Sequence, residues 1–140
     1  MKQIPVIFWT GTGNTQMMAD AVAEAINAVG AEAVVKNISE ITADEAAGYD
    51  ALALGCPAMG AEVLEECEFE PFFTELEGKL AGKKVAIFGS YGWGGSYMQD
   101  WEARVKDAGA TLVADGVLAL GAPDDEAMAK LTEAGKLLAE

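Results

Sequence analysis

Short all-apolar runs alternate along the chain with longer stretches of helical period. The runs cover residues 4–9, 33–38, 51–54, 85–88 and 111–120, and polar residues do not alternate within them. Such runs predict strands buried on both faces of a parallel sheet. Met18, Val22, Ala25, Ile26 and Val29 keep a three-to-four spacing, so a first helix carries them on its apolar face and Gly30 closes it. Thr42-Ala43-Asp44-Glu45 has the form of a capping box opening a short second helix. Pro71 suits a first helical position, with Phe72, Phe73, Leu76 and Leu80 following on one face. Trp101, Val105 and Ala108 mark a fourth helix ended by Gly109. Pro123-Asp124-Asp125-Glu126 places acids at the start of a fifth, which carries Met128, Leu131, Ala134 and Leu138. Five βα units in one unbroken domain, residues 1–140, imply an α/β sandwich with right-handed crossovers.

Two positions disturb this pattern. Pro5 has no N–H for a sheet ladder, so the first strand is expected to pair regularly only from Val6. Asp115-Gly116 interrupts the fifth strand as a bulge, a bend or a hairpin turn. The bend is favoured, because residues 117–120 are too few to make a sixth independent strand.

Ligands of such sheets bind beyond the carboxyl ends of the strands, so the loops there are the candidates for chemistry. After the first strand comes Thr10-Gly11-Thr12-Gly13-Asn14-Thr15, running straight into a helix. Its glycines let the backbone turn its N–H groups inward, its hydroxyls and amide add donors, and the helix dipole adds partial positive charge. It is a phosphate cradle without a cation. The Lys of a triphosphate-binding loop is missing, as is the G-x-G-x-x-G of a dinucleotide site, so a single terminal phosphate fits best. The third strand is followed by Cys56-Pro57-Ala58-Met59-Gly60-Ala61-Glu62, and the fourth by Ser90-Tyr91-Gly92-Trp93-Gly94-Gly95-Ser96. Met59 on one side and Trp93 on the other would suit a flat ring system. Together the three loops ask for a planar cofactor with one phosphate at the end of a tail. Trp9 and Trp101 read as core residues, and Cys56 and Cys67 as packing or loop residues.

Composition removes several alternatives. Half of the 140 residues are hydrophobic (51%), and nine Lys plus Arg against 23 Asp plus Glu give a net charge of −14. That sign opposes nucleic acid and anionic membranes. Without a histidine the chain has no Ser–His–Asp triad and no imidazole-ligated metal, and its two cysteines make no metal site. No signal peptide is visible and no apolar run reaches the roughly 20 residues that span a bilayer, so the reading is a cytoplasmic protein with reduced thiols.

Four segments in register, T-G-T-G-N-T, G-C-P-A-M-G-x-E, E-F-E-P-F and F-G-S-Y-G-W-G, give the whole chain a resemblance to the flavodoxins. It resembles in particular the short-chain type of clostridia and related anaerobes, since the fifth strand has no room for a long insertion. The resemblance implies a three-layer α/β/α sandwich with a five-stranded parallel sheet of order 2-1-3-4-5. It also implies non-covalently bound FMN and a low-potential one-electron carrier, a monomer standing in for ferredoxin between redox enzymes. Residue by residue, Thr10, Thr12, Asn14 and Thr15 would hold the phosphate with the N–H groups of the loop, Gly11 and Gly13 included. Met59 and Trp93 would cover the faces of the isoalloxazine and Glu62 would accept from N3–H. The backbone of Gly92 and Trp93 would meet the pyrimidine oxygen, and the Gly60–Ala61 peptide would lie beside N5. Pro57, Ala58, Ser90, Tyr91 and Gly94 complete the expected lining. Thr10 stands where many relatives have Ser, and Ala61 replaces the commoner Asp, Ser or Gly.

Glu62, Glu65, Glu66, Glu68 and Glu70 lie beside that expected edge with no Lys or Arg among them. A unit charge ~10 Å from a reduced flavin, at an effective dielectric of ~30, opposes its negative charge by about 1 kcal/mol. For one electron that is on the order of 50 mV. The same field would steer the protein to basic patches on its partners. Two rivals on this topology are a small FMN-dependent quinone or flavin reductase and a phospho-receiver. The receiver fails at once, since Trp9-Thr10, Gly55-Cys56 and Leu120-Gly121 stand where its acids and lysine belong.

Overall fold

The computed structural model describes residues 3–9, 13–57, 68–91 and 96–140, and the backbone alone at Ser96. Within these, β1 (Gln3–Phe8), β2 (Glu32–Asn37), β3 (Ala51–Gly55), β4 (Lys84–Tyr91), β5 (Thr111–Leu112) and β6 (Val117–Leu120) form one sheet. Every pairing is parallel and the order is β2-β1-β3-β4-β5, with β6 pairing β4 beyond β5. The expected order 2-1-3-4-5 is therefore met, its fifth column built from two short strands.

Alternate residues of β1 point to opposite faces, and both faces are covered. Ile4, Val6 and Phe8 join Met18, Val22 and Ile26 of α1 (Asn14–Ala28) and Leu131 and Leu138 of α5 (Asp125–Ala139). Ile7 points the other way, into a core with Phe69 and Phe73 of α3 (Phe69–Glu77) and Trp101 and Val105 of α4 (Ser96–Asp107). The one-turn helix α2 (Ala43–Ala46) lies on this second face. Its capping box is complete: the Glu45 N–H donates to Thr42 Oγ1 at 3.1 Å and the Thr42 N–H to Glu45 Oε1 at 3.0 Å.

Several expectations need correction. β2 is only half-buried, with Val35 exposed, because it is the edge strand, and Ile38 leaves it for a 3-10 turn. Val29 and Met128 are exposed, since each lies just outside the stripe its helix buries. Pro71 is the third residue of α3, a position whose N–H would have had no helical partner in any case.

Pairing along β1 starts earlier than Pro5 suggests, at Gln3 opposite Glu32. Toward β3 it does start at Val6, opposite Ala53. In a parallel strand, alternate residues direct N–H and C=O to the same neighbour. The Trp9 N–H donates to the Gly55 carbonyl of β3 at 3.0 Å, so Pro5, four residues earlier, faces β3 as well. The missing donor is on that side alone, and β2 is unaffected.

Asp115-Gly116 is neither a hairpin turn nor a simple strand interior. Leu112 pairs Val85 and Val117 pairs Phe88, so β5–β6 advances five residues while β4 advances three. The surplus forms a bend at Ala114, pinned by the Gly116 N–H donating to Glu102 Oε2 at 2.7 Å.

Candidate functional site at the carboxyl edge of the sheet

The chain leaves β1 toward α1 on one face and β3 toward α3 on the other, so the order reverses between these central strands. A crevice at this edge is where an open α/β sheet binds ligands. Of the first candidate loop, Thr10, Gly11 and Thr12 lie outside the described residues, and Gly13, Asn14 and Thr15 lie within. Gly13 has φ +91°, a conformation open to glycine at little cost, and precedes the first residue of α1. No described side chain caps this helix, and no acid stands in its first turn. Thr15 is buried (1% exposed), and its Oγ1 has no hydrogen-bond partner among the described residues. A buried hydroxyl and a helix N-terminus that no described side chain caps thus occur together, where the sequence suggests a phosphate.

The second loop starts from a tightly held strand end. Cys56 is fully buried and Pro57 is buried; the Cys56 N–H donates to the Phe88 carbonyl at 3.0 Å. Ala58, Met59, Gly60, Ala61 and Glu62 are outside the described residues, as are Glu65, Glu66 and Cys67. At the third loop the expected boundaries shift. Ser90 and Tyr91 belong to β4 itself, opposite Ala119 and Leu120, because β6 supplies ladder partners beyond the bend. Ser96 is already the first residue of α4. Gly92, Trp93, Gly94 and Gly95 between them lie outside the described residues. Tyr91 is half-buried against the α3–α4 core.

The acidic stretch is less uniform than its sequence suggests. The sole arginine of the chain, Arg104, meets both oxygens of Glu70 at 2.8 and 2.9 Å and both of Glu77 at 3.1 Å. Its guanidinium also lies 4.7 Å from the centre of the Phe73 ring. The hydrogen bonds from Arg104 hold the Glu70 carboxyl below the usual carboxylate range, and those to Glu70 and Glu77 push the guanidinium pKa up. Arg104 is shared between Glu70 and Glu77, so it lessens the contribution of Glu70 to the field expected to oppose a reduced flavin, and the three side chains together keep one negative charge. Sequence distance hid this pair; the one signal available was that the only Arg sits on a helix. Glu68 Oε1 accepts from the indole N–H of Trp9 at 3.3 Å. Trp9 is half-buried at the end of β1, whereas Trp101 is fully in the core, as expected of it.

Comparison with known proteins decides the family. Residues 6–135 match the flavodoxin family model. The chain is 46% identical over 135 residues to a flavodoxin of Clostridium beijerinckii, covering 96% of this chain and 97% of that one. It is 45% identical over 116 residues to a flavodoxin of Megasphaera elsdenii, covering 82% and 85%. The solution structure of two-electron reduced Megasphaera elsdenii flavodoxin superposes with a TM-score of 0.89 at 42% identity, covering 97% of this chain and 98% of that one. The chain belongs to the flavodoxin family. As a flavodoxin it uses a flavin and passes electrons between redox partners, and the membership favours this carrier role over that of a quinone or flavin reductase. Among the described residues of this flavodoxin, no helix is long and apolar enough to cross a membrane.

Proposed function

We propose that the flavin is FMN, bound non-covalently at the carboxyl edge of the sheet, and that the protein is a low-potential one-electron carrier. When bound, FMN accepts and releases electrons singly. The chain's own part is to bind, orient and shield it. Thr10, Thr12, Asn14 and Thr15, with the amides of residues 10–15, take the phosphate; Met59 and Trp93 take the ring faces; Glu62 accepts from N3–H. The amides of Gly92 and Trp93 serve the pyrimidine oxygen, and the Gly60–Ala61 peptide lies beside N5. Pro57, Ala58, Ser90, Tyr91 and Gly94 line the slot.

One observation carries the reading: the buried Thr15 hydroxyl without a partner among the described residues, in the first turn of a helix whose N-terminus no described side chain caps. An unpaired buried hydroxyl costs about 1–3 kcal/mol, and a phosphate oxygen removes that cost while also suiting the helix dipole. A single domain acting as a monomer in the cytoplasm, docking its acidic face on basic patches of redox enzymes, accords with the net charge of −14.

Thr15→Val tests the phosphate assignment with little change of shape. FMN binding should weaken roughly 10- to 100-fold, the value of one hydrogen bond to a charged acceptor, while riboflavin binding stays at the parent level. Equal losses for the two flavins would refute the site.

A further inference from the structure

Three elements meet at one buried point behind the candidate site. The Tyr97 hydroxyl, in the first turn of α4, donates to the Cys56 carbonyl at 2.8 Å, and both residues are buried. Gly89 of β4 makes the space for that meeting. A Cβ there would lie 2.0 Å from the Cys56 carbonyl oxygen and 2.2 Å from the Tyr97 hydroxyl. The two backbone groups of Cys56 are thus held from different sides, its N–H by Phe88 of β4 and its carbonyl by α4. Pro57 follows with no N–H of its own to contribute.

We propose that Tyr97 is a positioning residue for the flavin, its hydroxyl fixing where the chain leaves β3 relative to the start of α4. This rests on the FMN reading above. Residue 57 leads into the segment carrying Met59, Gly60 and Glu62, and α4 begins directly after the one carrying Gly92 and Trp93. A single hydrogen bond therefore joins the starting point of one expected wall of the slot to the end point of the other. Tyr97 acts through Cys56, to whose carbonyl it donates. Burial pushes the phenol pKa well above its ordinary value, so the hydroxyl remains a donor throughout the neutral range. The carbonyl it serves is buried, so no water replaces it without rearrangement.

Tyr97→Phe in the full chain removes the donor and keeps the ring. FMN binding is expected to weaken about 5- to 50-fold, and in the fully loaded variant the two one-electron potentials should shift relative to each other. A merely structural hydrogen bond would lower the urea midpoint of the flavin-free protein and leave FMN affinity and the separation of the potentials at parent values; that result overturns the proposal. Should the variant fail to fold, the parent protein decides. By proton NMR, the Tyr97 hydroxyl should be protected from solvent exchange already in the flavin-free protein. Fast exchange there would mean that the hydrogen bond forms only after the flavin arrives, and the positioning role falls. A parent protein that takes up no FMN refutes the FMN reading and this proposal together. A Tyr97→Phe protein matching an FMN-binding parent refutes the positioning role alone.

Discussion

Gly78 and Gly135 both adopt right-handed helical backbone, yet a methyl group at each should act in opposite directions. At Gly78 a Cβ meets nothing within 4 Å. Gly78→Ala therefore restricts the unfolded chain without a clash and should raise stability by about 0.4–1 kcal/mol. Gly135 lies inside α5, where its propensity penalty relative to Ala is about 1 kcal/mol. A Cβ there, however, would stand 2.8 Å from both Ala25 Cβ and the Val22 carbonyl oxygen of α1. Backbone cannot retreat as a side-chain tip can, and overpacking costs about 1–3 kcal/mol. Gly135→Ala should thus be destabilising, by a net of up to about 2 kcal/mol. Urea unfolding of the two variants, with midpoints moving in opposite directions, checks both. Spacing alone treats these two residues alike, because what differs is the neighbour that each meets.

Between elements, the attachment of α3 to α4 turns on one side chain. Arg104 binds Glu70 and Glu77 and lies over Phe73, all on α3, and its side chain is about one-third exposed (30%). Discounted for that exposure, Arg104→Leu should cost about 1–2 kcal/mol, from lost ion pairing and from stem packing. The pH dependence has a definite sign. The folded-state pKa of Glu70 is lowered from 4.5, so its contribution is complete above that value and disappears as pH falls through the lower folded value. The gap in thermal midpoint between parent and Arg104→Leu should be full at pH 7 and narrow once pH drops below about 4.5. A gap that widened in acid would contradict this account. A second element-scale check is the cap of α5, where Asp124 Oδ1 accepts from the Ala127 N–H at 2.8 Å. Asp124→Ala should cost about 1 kcal/mol in the same measurement. The Asp124 position was legible in the sequence because a cap is a local pattern, complete within four residues. The Arg104 pair was not, since its partners stand 34 and 27 residues away.

Over the whole molecule, four of the nine cations take part in holding the fold. Lys79 pairs Asp44, Lys83 donates to the Tyr49 carbonyl and Lys84 to the main-chain oxygen of Glu140, all near the amino end of β4 and away from the candidate site. With Arg104 also engaged, a net charge of −14 is left to repel itself. Raising salt from about 10 mM to about 0.5 M should screen that repulsion and lift the thermal midpoint. The same change should slow electron transfer with a basic partner, because encounter across opposite charges loses its steering. Stopped-flow rates that stay flat over this range would remove steering from the account.

The sequence by itself determined the order of strands and helices, their caps and the loops gathered at one edge of the sheet. Each depends on periods of two or 3.6, on glycine and proline conformations, or on capping within a few residues, and all of these are local. The tertiary structure alone decided that the fifth column is two strands with a bend pinned to Glu102, which moved Ser90 and Tyr91 from loop to strand. It also decided that Pro5 interrupts only the β3 side, that Glu70 pairs with Arg104 and that the Thr15 hydroxyl is buried without a partner among the described residues. Cys56 and Tyr97, 41 residues apart, likewise meet only because the parallel sheet brings β3, β4 and α4 to the same edge. Such pairings follow from where the crossovers set distant segments, and no run of neighbouring residues encodes that distance.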